Sequence, residues 1–205
     1  MPTRVKICGI TQLEDAQLAV ELGASALGFN FFRPSPRYLA PEAAREIISR
    51  LPLFVTAVGV FADEVDGETV GRVARQAGVT VIQLHGPRFP GSSPALENCS
   101  LIRAVAVKGD FRPADLARLK ANAFLLDAFD AAAPGGTGKT FDWSTAREAT
   151  RFGTIILAGG LTPENVGEAI RTVRPYAVDV ASGGESAPGR KDPARLRAFF
   201  AAVNP

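Results

Sequence analysis

The feature that most constrains this chain is a series of short apolar runs, spaced almost evenly along its length. Continuous apolar runs of this size are typical of strands that are buried on both faces of a parallel sheet. The predicted strands are Val5–Cys8, Ala26–Phe31, Phe54–Val60, Val79–Leu84, Leu101–Val107, Ala123–Asp127, Thr154–Ala158 and Ala177–Ala181. Their first residues lie roughly 21 to 31 positions apart, which leaves room for one crossover helix in each interval.

Segments with helical periodicity fill most of these intervals. They are Leu13–Leu22, Pro41–Arg50, Val70–Ala77, Ala114–Lys120, Ser144–Phe152, Pro163–Arg171 and Pro193–Val203. Thr162-Pro163-Glu164 carries helix start signals, since threonine can cap, proline suits the first turn and glutamate complements the helix dipole. The interval Gly86–Cys99 is rich in Pro, Gly and Ser, so a short or irregular helix is expected there.

Successive β-then-α units without a long linker favour either a closed barrel or a doubly wound sheet. A doubly wound nucleotide-binding sheet normally carries GxGxxG after its first strand, and here the sequence from Cys8 to Leu13 reads CGITQL. We therefore predict an α/β protein with the (β/α)8 TIM-barrel fold, as a single domain over residues 1–205. A length of 205 residues is near the lower limit for such a barrel.

The composition of the chain excludes several classes of function. The formal net charge is +2 and no basic stripe is present, which argues against a nucleic-acid or membrane partner. The chain lacks a signal-peptide pattern and any run near the roughly 20 apolar residues that span a bilayer, so a cytoplasmic location is expected. Cys8 and Cys99 lack CxxC spacing, and His85 is the only histidine. We therefore expect neither a disulfide framework nor a metal, and chemistry without a cofactor.

The active site of a barrel lies at the carboxyl ends of its strands, so the polar residues that close each apolar run are the candidates. They are Cys8, Asn30, Gln83, His85, Arg103, Asp127, Gly159–Gly160 and Ser182–Gly184, together with Arg37 in the loop after the second strand. This set combines a thiol, a carboxyl group, cations and glycine-rich turns.

Two glycine-rich turns close the seventh and eighth strands. Gly159 and Gly160 follow one, and Ser182, Gly183 and Gly184 follow the other. Glycine lets backbone N–H groups approach a phosphate closely, and the following helices add favourable dipole charge. A single pair of glycines more often makes only a tight turn. Two pairs after consecutive late strands predict a phosphate site, because barrels commonly bind phosphate there.

Cys8 and Asp127 are the candidate proton-transfer groups. Cys8 ends the first strand close to the start of a helix, where a thiolate is stabilised, although a buried cysteine is usually inert, as we expect for Cys99. Asp127 ends the apolar run of the sixth strand, where apolar surroundings favour a protonated carboxyl that can donate its proton. Its alternative role is loop capping or pairing with a cation. Asp179 lies within the eighth strand, and pairing with a barrel-lining base or with a ligand hydroxyl are both open.

Two loops complete the set of candidates. Arg37 lies in the proline-stiffened segment Pro34–Tyr38 and is suited to hold a planar carboxylate, the alternative being a solvated cation. The segment 134–140 ends in Gly-Lys-Thr like a P-loop, but residue 133, where the first glycine should be, is alanine. We interpret it as a lid over the substrate in which Lys139 helps hold an anion, with a simple flexible loop as the alternative.

The motifs of the chain resemble those of the phosphoribosylanthranilate isomerase family, barrel enzymes of tryptophan biosynthesis. The matching motifs, spread along the whole chain, are Lys6–Ile10, Ser35–Tyr38, Gln83–Gly86, Leu125–Asp127, Gly135–Trp143, Ala158–Leu161 and Val178–Gly183. The resemblance implies an Amadori rearrangement with Cys8 as general base, Asp127 as general acid, Arg37 at the anthranilate end and the late glycine loops on the phosphate. His85, Arg103 and Asp179 are expected to contact the same small-molecule substrate, in a monomer or homodimer. Gly184 departs from the pattern, since a valine-like residue is expected there, which questions the rigidity of that loop.

Three other functions compete with this one. Indole-glycerol-phosphate synthases need a lysine, and a sugar-isomerising relative that acts on a histidine precursor needs an aspartate at the end of the first strand, where this chain has Cys8. The third alternative is a phosphate-ligand binding module in which Cys8 and Asp127 are only structural. A turnover assay separates it from an enzyme.

Overall fold

Eight parallel strands close into a barrel in chain order, and the last strand pairs back with the first. The computed structural model describes residues 3–62, 66–86, 93–107, 111–127 and 143–203. The strands are β1 Arg4–Cys8, β2 Ala26–Asn30, β3 Thr56–Ala62, β4 Val81–His85, β5 Ser100–Ala106, β6 Ala123–Asp127, β7 Ile155–Ala158 and β8 Ala177–Val180. The predicted TIM barrel is confirmed, and every predicted strand overlaps an observed one.

Helices surround the barrel. They are α1 Leu13–Glu21, α2 Pro41–Ile48, α3 Gly67–Ala77, α4 Trp143–Ala149, α5 Val166–Val173 and α6 Pro193–Val203. Short 3-10 helices, Pro94–Leu96 and Pro113–Arg118, follow β4 and β5. The first agrees with the irregular helix expected from the composition of that interval. The second occupies the place where an α-helix over Ala114–Lys120 was predicted.

Helix α5 begins later than the sequence predicts. The Thr162 N–H donates to Oδ1 of Asn165 at 2.9 Å, and the Val166 N–H donates to the Thr162 carbonyl at 3.0 Å. These bonds make residues 162–165 a separate turn, and Asn165 occupies the N-cap position of the helix without a capping hydrogen bond from its side chain. The start signals at Thr162 mark this turn rather than the first turn of the helix.

An antiparallel ribbon, which the sequence did not predict, follows β8. It consists of β9 Glu185–Ala187 and β10 Arg190–Lys191, joined at Pro188 and Gly189. Gly189 has a φ of +78°, the left-handed conformation that glycine accepts at the third position of a Pro-Gly turn. Strands of two and three residues are too short to produce a periodic sequence signal.

Side chains alternate between the inside of the barrel and the layer beneath the helices. The inner cluster consists of Val58, Ile102, Ala123, Leu125, Ile156, Ala158 and Ala177. The outward residues, including Ile7, Leu27, Leu84, Phe124 and Leu157, pack against the helices in the main core. Polar inward residues lie at the carboxyl ends of several strands, and this end of the barrel is here called the mouth. Among the described residues, no helix has the length and apolar character needed to cross a membrane.

Candidate active site

The predicted proton-transfer groups lie at the same end of the barrel. Cys8, His85 and Asp127 are the last residues of β1, β4 and β6, and the carboxyl ends of parallel strands share one edge. Asp127 is in register with Ala106 and Ala158, and Ala158 belongs to the inner cluster. The Asp127 position therefore faces inward, and strands β7 and β8 lie between it and Cys8 on the shorter path around the barrel.

The backbone around Cys8 is fixed by several hydrogen bonds. Gly9 turns the chain with a φ of +77°, and the N–H groups of Gly9 and Ile10 each donate to the Gly28 carbonyl at 3.0 Å. The Lys191 ammonium donates to the Cys8 carbonyl at 2.5 Å. The half-buried thiol is thus held at the mouth by contacts from β2 and from the ribbon.

Burial and charge act in opposite directions on the Cys8 thiol. Burial raises its pKa above the usual value, Lys6 lowers it, Asp179 raises it and Lys191 lowers it again. The sequence suggested the start of a helix as the stabilising influence on a thiolate. The cations that lower the pKa of Cys8 in the structure are instead lysine side chains from β1 and β10, and Lys191 was not among the predicted site residues.

Asp179 is paired with Lys6 inside the barrel. Lys6 Nζ donates to Asp179 Oδ1 at 2.7 Å, and the two side chains are only 3% and 9% exposed. The two residues are opposite one another in the register of β1 and β8. Of the two roles that the sequence left open for Asp179, pairing with a barrel-lining base is the one seen here.

Arg37 is held at the mouth by a glutamate that the sequence analysis did not select. Its Nε and Nη2 atoms donate to the Glu185 carboxylate at 2.9 and 2.6 Å, in a bidentate pair. Lys191 Nζ donates to the same carboxylate at 2.9 Å. Burial alone would raise the pKa of Glu185, but the hydrogen bonds from Arg37 and Lys191 lower it below its usual value. In the sequence, the charged residues that directly follow the Ser182–Gly184 loop could have indicated this cluster of Arg37, Glu185 and Lys191.

The loop that carries Arg37 is organised by Asn30. Asn30 Oδ1 accepts a hydrogen bond from the Phe32 N–H at 2.9 Å, and its Nδ2 donates to Ser35 Oγ at 3.1 Å. Ser35 Oγ in turn accepts from the Arg37 N–H at 3.1 Å. Asn30, one of the residues that close the predicted strands, therefore fixes the path of the Arg37 loop.

His85 is paired with Gln83 from below. His85 Nε2 and Gln83 Nε2 are 2.6 Å apart, and Gln83 is 1% exposed. Burial lowers the pKa of His85, and the nearby Lys6 lowers it further while Asp127 raises it. The imidazole is thus neutral at neutral pH and can both donate and accept a hydrogen bond. Gln83 Oε1 is buried and has no hydrogen-bond partner among the described residues.

The two glycine-rich turns lie side by side, because β7 and β8 are paired. Gly159 and Gly160 have φ values of +83° and +63°, and Asn165 Nδ2 donates to the Gly160 carbonyl at 2.9 Å. A side chain at Gly183 would overlap the Leu161 carbonyl, so only glycine lets the two loops approach this closely. The amides of Ser182 and Gly183 precede the first hydrogen bond of their turn, which Gly184 donates to Ala181 at 3.2 Å.

Gly184, the departure from the family pattern, has a packing explanation. A Cβ atom there would lie 2.8 Å from Leu196 Cδ2 of α6, so a valine would require that leucine to move. The loop is also tied on its other side, since the Asp192 N–H donates to the Gly184 carbonyl at 2.9 Å. These contacts hold the loop in place without a branched side chain.

The structure does not bring Arg103 to the mouth. Arg103 is in register with Leu84 and Phe124, both members of the outer core, and it alternates along β5 with the inward residue Ile102. Its side chain therefore belongs to the outer face of the barrel wall. The predicted lid over residues 134–140, with Lys139, lies outside the described residues.

No three His, Cys, Asp or Glu side chains in the described ranges are grouped so as to hold a metal ion. The polar groups that the mouth offers are a thiol, a carboxyl group, an imidazole, an arginine and glycine-loop amides. Such a set can bind an anion and move protons between two positions of a bound ligand.

Comparisons with known proteins give a consistent result. The chain matches the family model described as N-(5'phosphoribosyl)anthranilate (PRA) isomerase over residues 5–202. An N-(5'-phosphoribosyl)anthranilate isomerase from Citrifermentans bemidjiense is 51% identical over 199 residues, covering 97% of this chain and 96% of the relative.

Solved structures agree with these matches. A phosphoribosyl anthranilate isomerase from Thermus thermophilus superimposes with a TM-score of 0.87 at 45% identity, covering 98% of each chain. Another phosphoribosyl anthranilate isomerase, solved in complex with reduced 1-(o-carboxyphenylamino)-1-deoxyribulose 5-phosphate, has a TM-score of 0.80 at 41% identity and covers 98% of each chain.

Proposed function

The chain belongs to the N-(5'-phosphoribosyl)anthranilate isomerase family, and from that premise we propose that Cys8 is the general base and Asp127 the general acid of its reaction. The enzyme converts N-(5'-phosphoribosyl)anthranilate into 1-(2-carboxyphenylamino)-1-deoxyribulose 5-phosphate in tryptophan biosynthesis. The reaction moves the oxidation level from C1' to C2' of one sugar. It therefore needs proton transfers but no external oxidant or reductant.

Asp127 acts in the first step as the proton donor. It protonates the ring oxygen of the furanose while the C1'–O bond breaks, and the lone pair of the anthranilate nitrogen forms a C1'=N double bond. The products of this step are an Asp127 carboxylate and an open-chain, protonated Schiff base. General acid catalysis of this kind typically contributes about 10²- to 10⁴-fold in rate.

Cys8 acts in the second step as the proton acceptor. Its thiolate removes the C2' proton, the C2'–H electron pair forms the C1'=C2' bond, and the C=N electrons return to nitrogen. The result is a thiol and a neutral enolamine. Transfer of a proton to C1' and loss of the proton on the C2' hydroxyl then give the ketone.

Phosphate binding and carboxylate binding position the sugar between these two groups. The amides of Gly159, Gly160, Ser182 and Gly183 form the phosphate site, and Gly184 closes its turn by donating to the Ala181 carbonyl. Since the loops of β7 and β8 lie between β6 and β1 in the barrel order, this site is adjacent to both the acid and the base. Such anchoring at a distance from the reacting atoms supplies the orientation that proton transfer requires.

Arg37 binds the anthranilate carboxylate. Glu185 accepts hydrogen bonds from Nε and Nη2 of the guanidinium, so Nη1 remains as a donor toward the substrate. His85, which is neutral, and Asp179, which has a second carboxylate oxygen beyond the one bonded to Lys6, contact the sugar hydroxyls.

The observation that carries the proposal is the position of Cys8 and Asp127 at the carboxyl ends of β1 and β6, on either side of the phosphate loops. The test is the loss of phosphoribosylanthranilate fluorescence on adding purified protein, with EDTA present. Wild-type protein should consume the substrate, and a Cys8→Ser/Asp127→Asn double variant that unfolds at the same temperature should not. Turnover by the double variant at the wild-type rate would contradict the proposal.

The remaining expectations concern the setting of the enzyme. Its ligand is a small molecule, and the phosphate makes that molecule a charged metabolite which does not leave the cell freely, so we place the reaction in the cytoplasm. The assembly is either a monomer or a homodimer. Light scattering of the purified protein distinguishes the two states.

A further inference from the structure

A buried ammonium group lies directly below the sulfur of Cys8. Lys6 precedes Cys8 by two residues on β1, so both side chains point into the barrel. Lys6 is 3% exposed, and its Nζ is bonded to Asp179 Oδ1 at 2.7 Å. A fully buried lysine is rare unless it is paired, and Asp179 is the pair that keeps this one inside the barrel.

Because Gly28 has no side chain, the Lys6 ammonium and the Cys8 sulfur can both lie next to it. Gly28 is in register with Cys8 on the neighbouring strand, and an added Cβ would lie 2.8 Å from Cys8 Sγ and 3.1 Å from Lys6 Nζ. The two atoms therefore border the same small gap in the barrel wall. The positive charge of Lys6 lowers the pKa of the Cys8 thiol, and the thiolate charge in turn raises the pKa of Lys6.

The charged groups around the sulfur come from several elements of the barrel mouth. Lys6 of β1 and Lys191 of β10 favour the thiolate, while Asp179 of β8 disfavours it. Arg37, in the loop after β2, also interacts electrostatically with Cys8, and its charge is paired with Glu185 of β9. His85 and Asp127 lie at the ends of other strands around the mouth. Among the described residues, Lys6 combines a positive charge, full burial and a position beside the sulfur at the Gly28 gap.

We propose that Lys6 is a positioning residue that stabilises Cys8 as a thiolate for proton abstraction, with Asp179 anchoring the ammonium beneath the sulfur. This inference rests on the proposed role of Cys8 as the base. Lys6 does not contact the reacting atoms; it acts through the ionisation of the thiol. Asp179 has two opposed effects, because it holds the cation in place and also repels the thiolate.

The test is the pH dependence of Cys8 alkylation by iodoacetamide, without substrate, in a Cys99→Ser background that leaves one thiol. The apparent midpoint should fall in Asp179→Asn, because the repelling carboxylate is gone and the Lys6 charge remains. In Lys6→Met/Asp179→Asn the midpoint should rise above that of Asp179→Asn by about 1 to 3 pH units, the range expected for loss of one close opposite charge. The double variant leaves no unpaired buried carboxylate, which favours its folding.

A purely structural role for Lys6 predicts no such opposed shifts. Equal midpoints in Asp179→Asn and the double variant would overturn the inference. If the double variant does not fold, Lys6→Gln/Asp179→Asn takes its place, because the two amides can form a hydrogen bond with each other, and a midpoint equal to that of Asp179→Asn would again overturn the inference. The outcome of this test can be distinguished from the outcome for the proposed function. If the alkylation midpoints shift in opposite directions but Cys8→Ser turns over at the wild-type rate, Cys8 is not the base, while the effect of Lys6 on the thiol remains.

Discussion

The two sides of the barrel mouth are built differently. On the β1 and β8 side, Cys8 is surrounded by charged groups that are bonded to one another: Lys6 with Asp179, and Glu185 with both Arg37 and Lys191. On the β5 to β7 side, Asp127 has alanines as its register neighbours, above an inner wall that includes Ile102 and Leu125. One proton-transfer group lies in an ionic network and the other at the rim of an apolar wall.

This difference suggests that substitutions on the two sides lower the stability of the protein by different amounts. Buried ion pairs contribute little net stability when complete, but removal of one partner leaves an uncompensated charge, which typically costs about 3 to 5 kcal/mol. Substitutions of the ion-paired residues on the charged side should therefore change both stability and activity. Substitutions that keep the shape of the apolar side should act mainly on activity.

The largest effect is expected for Cys8→Ser. A hydroxyl is a far weaker base than a thiol near neutral pH, so turnover should fall by about 10³-fold or more, while the similar size of serine preserves the fold. Steady-state turnover by fluorescence, with thermal unfolding as the check on folding, measures this. Cys99→Ser is the matched control and should keep wild-type turnover. A Cys8→Ser enzyme with comparable turnover would remove the thiol from the mechanism.

Asp127→Asn tests the other side with an isosteric change. An amide cannot supply the proton for ring opening, so kcat should drop by about 10²- to 10⁴-fold with little change in product affinity. The exposed Asp115→Asn variant serves as the control and should behave like wild type. A large loss of product affinity with unchanged kcat would instead make Asp127 a binding residue.

The apolar parts of the fold were predictable because the same sequence pattern recurs along the chain. Each strand is an apolar run followed by a helical segment, and the Ala123–Asp127 run coincides with β6 residue for residue. The errors fall where a local signal marks something else: Thr162 begins a turn that Asn165 closes by accepting from the Thr162 N–H, and the helix starts only at Val166. The ribbon at Glu185 to Lys191 was missed, although Pro188-Gly189 is a turn signal.

The charged side of the mouth was less predictable than the apolar side. Cys8, Asp127 and the glycine loops could be selected because they end strands, whereas Lys191 lies on a two-residue strand after the last barrel strand. Its contact with the Cys8 carbonyl spans 183 positions of sequence. No local pattern encodes a contact of that range, and the pairing of Lys6 with Asp179 likewise depends on barrel closure.

Glu185→Gln tests the cost of the ionic network. The substitution leaves Arg37 and the fully buried Lys191 without their shared carboxylate, so the free energy of unfolding should fall by about 3 kcal/mol. Urea unfolding measures the loss, and the exposed Glu46→Gln on α2 should unfold like wild type. A loss below about 0.5 kcal/mol would show that the charged side of the mouth tolerates an unpaired cation.

The same variant should also change the acid sensitivity of the protein. The pKa of Glu185 is lowered in the folded state from a usual value of 4.5, so its contribution to stability is complete above that pH and is lost as the pH falls through the folded value. Below pH 4.5, wild type should thus lose stability more steeply than Glu185→Gln. Unfolding midpoints measured between pH 3 and 7 compare the two slopes, and parallel slopes would contradict the assigned shift.

The smallest effect is expected for Arg103→Met, which lies outside both sides of the mouth. Its register partners Leu84 and Phe124 belong to the outer core, so loss of its charge should change KM less than about 2-fold, as for other substitutions away from the site. Arg37→Met is the matched comparison: loss of a charge-assisted hydrogen bond to the substrate carboxylate should raise KM about 10-fold or more. A substrate inside the barrel is separated from Arg103 by the wall that contains Ile102 and Ala104. Steady-state KM values for Arg103→Met and Arg37→Met show which of the two residues binds the substrate. Equal increases in KM would mean that the side chain of Arg103 faces the mouth after all.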